Sequence, residues 1–196
     1  MNKQYPNQKL EPIIKMNTRI LYPFEYRLLL ENNTNKKYDI LMRVGLQTSC
    51  RYTELQYLKD NPSMFKDNRY ISLNKDAIKK PKCRLKERVV RLSLDGKKAV
   101  KEFVNSDWKL PTRQGYQKFL MKLTLDSGLN PIGISPKMWR KTGCSWLIST
   151  SNERNPFEVL NSIGHSMKIS MERYQGLPFN SEQKNDINII FYGWND

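Results

Sequence analysis

Four side chains, in the chain order Arg51, Arg140, His165 and Tyr174, have the types needed to cut a phosphodiester through a tyrosine. A tyrosine hydroxyl ionises near pH ~10, so it attacks poorly unless nearby positive charge favours the phenolate. Attack on phosphorus also loads negative charge onto the non-bridging oxygens. Guanidiniums, always charged and shaped to grip phosphate with two parallel N–H groups, suit that charge. His165 is the only histidine in the chain, it follows Gly164, and Tyr174 lies nine residues after it. An imidazole there could donate a hydrogen bond to a phosphate oxygen near neutral pH. Each residue also has a plainer reading. Arg51 could be a helix-end arginine paired with Glu54, Arg140 part of a solvated helix face, and His165 a helix-capping histidine. Tyr174 competes with nine other tyrosines, most of them expected in the core or at its rim.

The elements that must position these residues can be read from periodicity and punctuation. Residues 24–33 predict a helix ending in an Asn-rich turn. Asn35 to Thr48 predicts a second, with Tyr38, Leu41, Met42, Gly45 and Leu46 at helical spacing, and Tyr52 to Leu58 a short third. Arg69–Leu73 and Arg88–Leu94 alternate or concentrate β-branched residues and predict strands joined by the basic stretch Asn74 to Glu87. Helical spacing returns over Asp95–Val104 and Thr112–Ser127. Ser135-Pro136 predicts an N-cap followed by proline at the first helical position, opening a helix to about Ser149. Asn155-Pro156 repeats that signature and leads to Gly164 as a closing glycine. A short helix carrying Tyr174 and a last one over Ser181–Tyr192 complete the reading. The first twenty residues, with two prolines and no clear periodicity, read as a tail or linker remnant. The chain is therefore expected to be α+β, mostly α-helical with a small antiparallel β-sheet.

Composition narrows the partners. Lys+Arg of 34 against Asp+Glu of 19 gives a formal charge of +15, and the basic residues are spread along the chain. That pattern predicts a basic folded surface rather than a basic arm, with nucleic acid as the expected polyanion. No run approaches the ~18 apolar residues of a membrane span, and the N-terminus lacks the apolar stretch of a signal peptide. Three widely spaced cysteines, Cys50, Cys83 and Cys144, form no zinc-type pair, and predict a reducing, cytoplasmic setting. No carboxylate cluster suited to magnesium is evident, so no metal or other cofactor is expected. Three of the four tryptophans, Trp108, Trp139 and Trp146, are most simply core residues.

With these residues in order, the sequence resembles the catalytic domain of tyrosine recombinases, over roughly residues 20–192. Arg51-Tyr52-Thr53-Glu54-Leu55 resembles their first arginine box, in which the arginine precedes x-x-Glu-Leu. Ser135 to Ile148 is similar to the second box, where His-x-x-Arg heads a helix, and Leu160 to Tyr174 is similar to Gly-His followed by the nucleophilic tyrosine. Lys137 stands where the family usually has that histidine, and Lys141 replaces another frequent histidine. The Lys-x-x-Arg form and the Trp-Arg-Lys-Thr run look like archaeal and archaeal-virus integrases. Type IB topoisomerases, which share the reaction centre, can also carry lysine there.

The resemblance implies roles. Tyr174 would be the nucleophile, Arg51, Arg140 and His165 would stabilise the transition state, and Lys137 would assist at the phosphate or in proton transfer. In the family the leaving 5′-oxygen takes its proton from a lysine on a strand-connecting hairpin. Lys82 fits that place best, with Lys80 and Lys86 behind it. Lys75, Lys79, Lys80, Lys82 and Lys86 could equally just bind phosphates, as could Lys141. The implied activity is site-specific recombination of double-stranded DNA through a 3′-phosphotyrosyl intermediate in a synaptic tetramer. The alternatives are topoisomerase-like cleavage and religation, or a catalytically dead DNA-binding derivative. On the same resemblance residues 21–196 form the catalytic domain, and the stretch from about 178 could dock on a neighbouring protomer or on its own domain.

Overall fold

The computed structural model describes residues 10–66, 69–74, 76, 77, 87–164, 166, 168 and 176–194. Eight α-helices and two small antiparallel sheets lie among them: α1 (Pro23–Glu31), α2 (Lys36–Thr48), α3 (Tyr52–Asp60), α4 (Leu94–Asn105), α5 (Arg113–Asp126), α6 (Lys137–Ser149), α7 (Pro156–Ile163) and α8 (Ser181–Ile190). The sheets are the pairs β1 (Ile13–Lys15) with β2 (Thr18–Ile20), and β3 (Tyr70–Leu73) with β4 (Arg88–Arg91). This is the mostly helical α+β architecture that the periodicity predicts, with a second hairpin added.

Short polar side chains start most helices by accepting otherwise orphaned backbone N–H groups. Ser93 Oγ accepts from Gly96 (2.9 Å), Thr112 Oγ1 from Gly115 (3.0 Å) and Asn180 Oδ1 from Gln183 (2.8 Å). Asn155 Oδ1 accepts from Phe157 (3.0 Å), with Pro156 at the first turn as expected, and Gly164 closes α7 at φ 67°. The start of α6 differs from expectation. Pro136 itself occupies the cap with a helical φ of −56°, so Ser135 contributes its carbonyl to the Met138 N–H (2.9 Å) rather than its hydroxyl. The helix therefore begins at Lys137, one residue later than a Ser135 cap would start it, with the fixed φ of Pro136 leading the chain into the first turn.

Helix α2 runs through the centre, between α4 and α6. Glycine makes the α2–α6 crossing close. A Cβ at Gly143 would stand 2.5 Å from the Leu46 carbonyl oxygen, and one at Gly45 would stand 3.0 Å from the Trp139 ring. Trp139 and Trp146 are buried as expected, their indole N–H groups donating to Tyr116 Oη (2.8 Å) and to the Leu21 carbonyl (2.9 Å). Trp108 is only partly buried, at the core's edge.

Two terminal stretches are built into the domain. Residues 13–20, expected within a tail, form the β1–β2 hairpin, packed on α6. Its anchor is Arg19, which is buried, pairs with the buried Glu25 carboxylate, and takes the Asn130 carbonyl as a second acceptor. The Arg19 N–H adds a bond to the Gly133 carbonyl (2.9 Å). At the other end, Ile187, Phe191 and Trp194 pack on this domain's own core. Gln47 donates to the Ile190 carbonyl (2.8 Å), the Leu94 N–H to Tyr192 (3.1 Å) and Arg69 to Gly193 (2.8 Å). Ile189 and Tyr192 remain exposed.

Candidate active site

The α2–α6 crossing brings two of the singled-out arginines to one carboxylate. After α2, Ser49 turns the chain in the left-handed region (φ 49°), and Arg51 caps α3. The Arg51 N–H donates to Glu54 Oε2 (2.7 Å) while its guanidinium meets Oε1 (2.5 Å). So the plainer reading of Arg51, a helix-end arginine paired with Glu54, describes its contacts here. The pairing does more than cap a helix, because Glu54 is fully buried and shared. Arg140, from the first turn of α6, holds its Nη1 3.8 Å from Glu54 Oε2. Arg140 also donates to the Ser49 carbonyl (2.7 Å) and to the Ile163 carbonyl (2.8 Å), the latter at the end of α7.

A third arginine completes the cluster, and the motif reading missed it. Arg88 opens β4, is buried, and donates from Nη1 to Glu54 Oε2 (2.8 Å) and from Nε to the Ser162 carbonyl (2.8 Å). Its other terminal nitrogen reaches the Thr48 and Ser49 carbonyls (3.3 and 3.4 Å). Gly164 abuts it closely: a Cβ there would stand 2.9 Å from Arg88 Cδ. A signal existed in the sequence. Strand periodicity puts Arg88 on the same inward face as Val90, and a charge on an inward face requires a buried partner.

The electrostatics follow from this placement. Burial pushes the Glu54 carboxyl up, but Arg88, Arg140, Arg51 and the Arg51 N–H outweigh it and hold it below the ordinary carboxylate range. Glu54 therefore stays an anion, and three guanidiniums around one carboxylate leave the cluster positive. Arg88 and Arg140 are largely enclosed, whereas half of the Arg51 side chain is open to solvent (50%). The cluster thus offers a cationic face held at fixed spacing from beneath, suited to a tetrahedral oxyanion. Cys50 lies beside it, and burial raises its thiol, which favours the unreactive protonated form.

The remaining candidates divide. Lys137 is exposed at the start of α6, and Lys141 follows one turn later with Nζ 3.6 Å from Met16 Sδ. His165, Tyr174, Lys79, Lys80, Lys82 and Lys86 lie outside the described residues. Other tyrosines are poor phenolates: burial raises Tyr26 and Tyr116, raises Tyr22 together with the nearby Glu25, and pushes Tyr52 up to about 12.

No family model and no curated protein matches the sequence. Among solved structures, the chain is similar to the Tn1549 transposon integrase (residues 82–397) in complex with circular-intermediate DNA. The TM-score is 0.61 at 18% identity, over 92% of this chain and 68% of that one. The fold is the mostly helical catalytic fold of tyrosine recombinases.

Proposed function

We propose that this chain is the catalytic domain of a site-specific DNA recombinase that cuts and rejoins strands through a tyrosine. The observation that supports it best is the meeting of Arg51 and Arg140 on Glu54, the carboxylate that Arg88 also holds. A buried carboxylate shared by two arginines far apart in sequence fixes their relative position, as preorganised binding of a phosphate requires.

On this reading Tyr174 Oη attacks the scissile phosphorus, a tyrosyl–phosphate bond forms to the 3′ side, and the bond to the 5′-oxygen breaks. Arg51, Arg140 and His165 carry the charge of the five-coordinate state, and Lys137 assists at the phosphate or in proton transfer. Lys82 delivers the proton that turns the leaving oxygen into a 5′-hydroxyl. A second 5′-hydroxyl then attacks the adduct and releases Tyr174, so the bond is exchanged without metal or nucleotide. The Lys137-x-x-Arg140 form aligns the enzyme with archaeal and archaeal-virus integrases. Exchange between two duplexes calls for a tetramer working on DNA in the cytoplasm.

Covalent trapping tests the reading. The chain is incubated with a pool of nicked duplexes of random sequence, beside a Tyr174→Phe variant. An SDS-stable, protease-sensitive protein–DNA band that the variant lacks is expected. Duplex binding with no such band overturns the enzymatic reading and leaves a DNA-binding derivative.

A further inference from the structure

The β1–β2 hairpin carries a feature that packing does not explain. Lys15 pairs with Thr18, so Met16 and Asn17 alone make the turn, and both have positive φ (49° and 56°). A two-residue turn of this kind favours Asn-Gly, because an ordinary side chain at positive φ crowds its own backbone. Methionine is a poor choice there on local grounds. It is also 67% exposed, so burial does not compensate. The hairpin beneath it is rigidly fixed by the buried Arg19–Glu25 pair and the Arg19–Gly133 backbone bond. Ile14, also exposed, lies against the loop at Gly133.

Its surroundings are basic. Met16 Sδ lies 3.6 Å from Lys141 Nζ, and Lys137, Arg140 and Lys141 share adjoining faces of α6 at three- and four-residue spacing. Like charges one helical turn apart repel, so Lys137 and Lys141 favour a polyanion beside them. Lys15 adds a cation on the hairpin itself.

We infer that the hairpin is a DNA-contacting wedge: Met16 enters a groove of the duplex, and Lys15 and Lys141 hold the flanking phosphates. Methionine is among the apolar side chains that proteins insert between base steps, and a strained tip on a rigid stem suits such insertion. This contact rests on the proposed reading that duplex DNA lies across the Arg51–Arg140 cluster. It adds a second, non-catalytic grip beside α6.

Met16→Gly tests it with two readouts that a structural role would move together. Glycine accepts the positive φ, so the melting temperature rises. Affinity for a fluorescein-labelled random-sequence duplex falls about fivefold, and for Met16→Asp about tenfold, on loss of the wedge and added repulsion. A photo-crosslinking residue at position 16 captures that duplex, and one at the exposed Ile189 does not. Unchanged affinity of both variants, or equal crosslinking from both positions, overturns the wedge while leaving DNA binding by the chain intact. A wild-type chain that binds no duplex at all removes the wedge together with the proposed function. Trapping of Tyr174 with no effect at Met16 removes the wedge alone.

Discussion

Arg88→Met is the sharpest probe of the arginine cluster. The substitution keeps an unbranched side chain of similar reach but deletes the guanidinium that bridges Glu54, Ser162, Thr48 and Ser49. Breaking one partner out of a buried ion pair costs about 3–5 kcal/mol when the other charge is stranded. Glu54 is not wholly stranded, since Arg51 still meets both its oxygens and Arg140 stands 3.8 Å away. The expected loss is therefore about 2–4 kcal/mol, which lowers the melting temperature by about 4–16 °C in a chain of this size.

The loss has a pH signature. In the native protein Glu54 is held below its ordinary value, so its stabilising contribution is full above the unfolded carboxylate pKa of about 4.3 and fades as pH falls through the lower folded value. Without Arg88, burial is less opposed and the Glu54 carboxyl rises. Its ionised form then costs stability at neutral pH, and protonation relieves that cost as the pH falls. The gap between wild type and Arg88→Met is expected to be widest near pH ~7 and to narrow towards pH ~4. Urea titrations across that range measure it, and adding Glu54→Gln to Arg88→Met should give a sub-additive loss, by about 1–3 kcal/mol. A gap independent of pH, with an additive double mutant, would refute the shared-carboxylate account.

Three further outcomes are expected. Arg51→Ala changes stability by about 1 kcal/mol or less, because half the side chain is in solvent and Glu54 keeps Arg88; it should nonetheless slow formation of the tyrosyl–DNA adduct about a hundredfold or more. Gly143→Ala pushes a methyl group into the Leu46 carbonyl and the Ser49 hydroxyl, and thermal melts should show a loss of about 2–3 kcal/mol. In a Cys83→Ser variant the buried Cys50 and Cys144 should ignore an aromatic disulfide reagent until denaturant is added; prompt labelling of the native protein would contradict the burial of both thiols.

Much of the helical frame was legible because its signals are local. Thr112, Asn155 and Gly164 mark boundaries through their own backbone chemistry, and the structure uses them that way. The tryptophans at 139 and 146 were equally plain. The β1–β2 hairpin was not, since each strand has three residues and its turn lacks Asn-Gly. It is fixed instead by Arg19 reaching Glu25, Asn130 and Gly133, partners that local patterning cannot pair. The same division runs through the site. Arg51 and Arg140 could be singled out by their motifs, and they do converge. That Glu54 is the group joining them, and that Arg88 braces it from a strand, depends on burial that appears only once α2, α3, β4 and α6 are assembled.

The stitching of the last described segment onto the centre of the domain bears on how the chain folds. Gln47 on α2 waits for the carbonyl of Ile190, 143 residues later, and the Leu21 N–H waits for Thr142, 121 residues later. Bonds between such distant residues close large loops, so they form late and slowly. On the ribosome, α2 cannot reach its final surroundings until residues 187–194 have been made. Until then the faces that Ile187, Phe191 and Trp194 will cover stay open on a strongly basic nascent chain. Slowing synthesis after α6 should therefore favour aggregation over correct folding, and a destabilised α8 should lower the yield of folded protein more than its stability loss alone predicts.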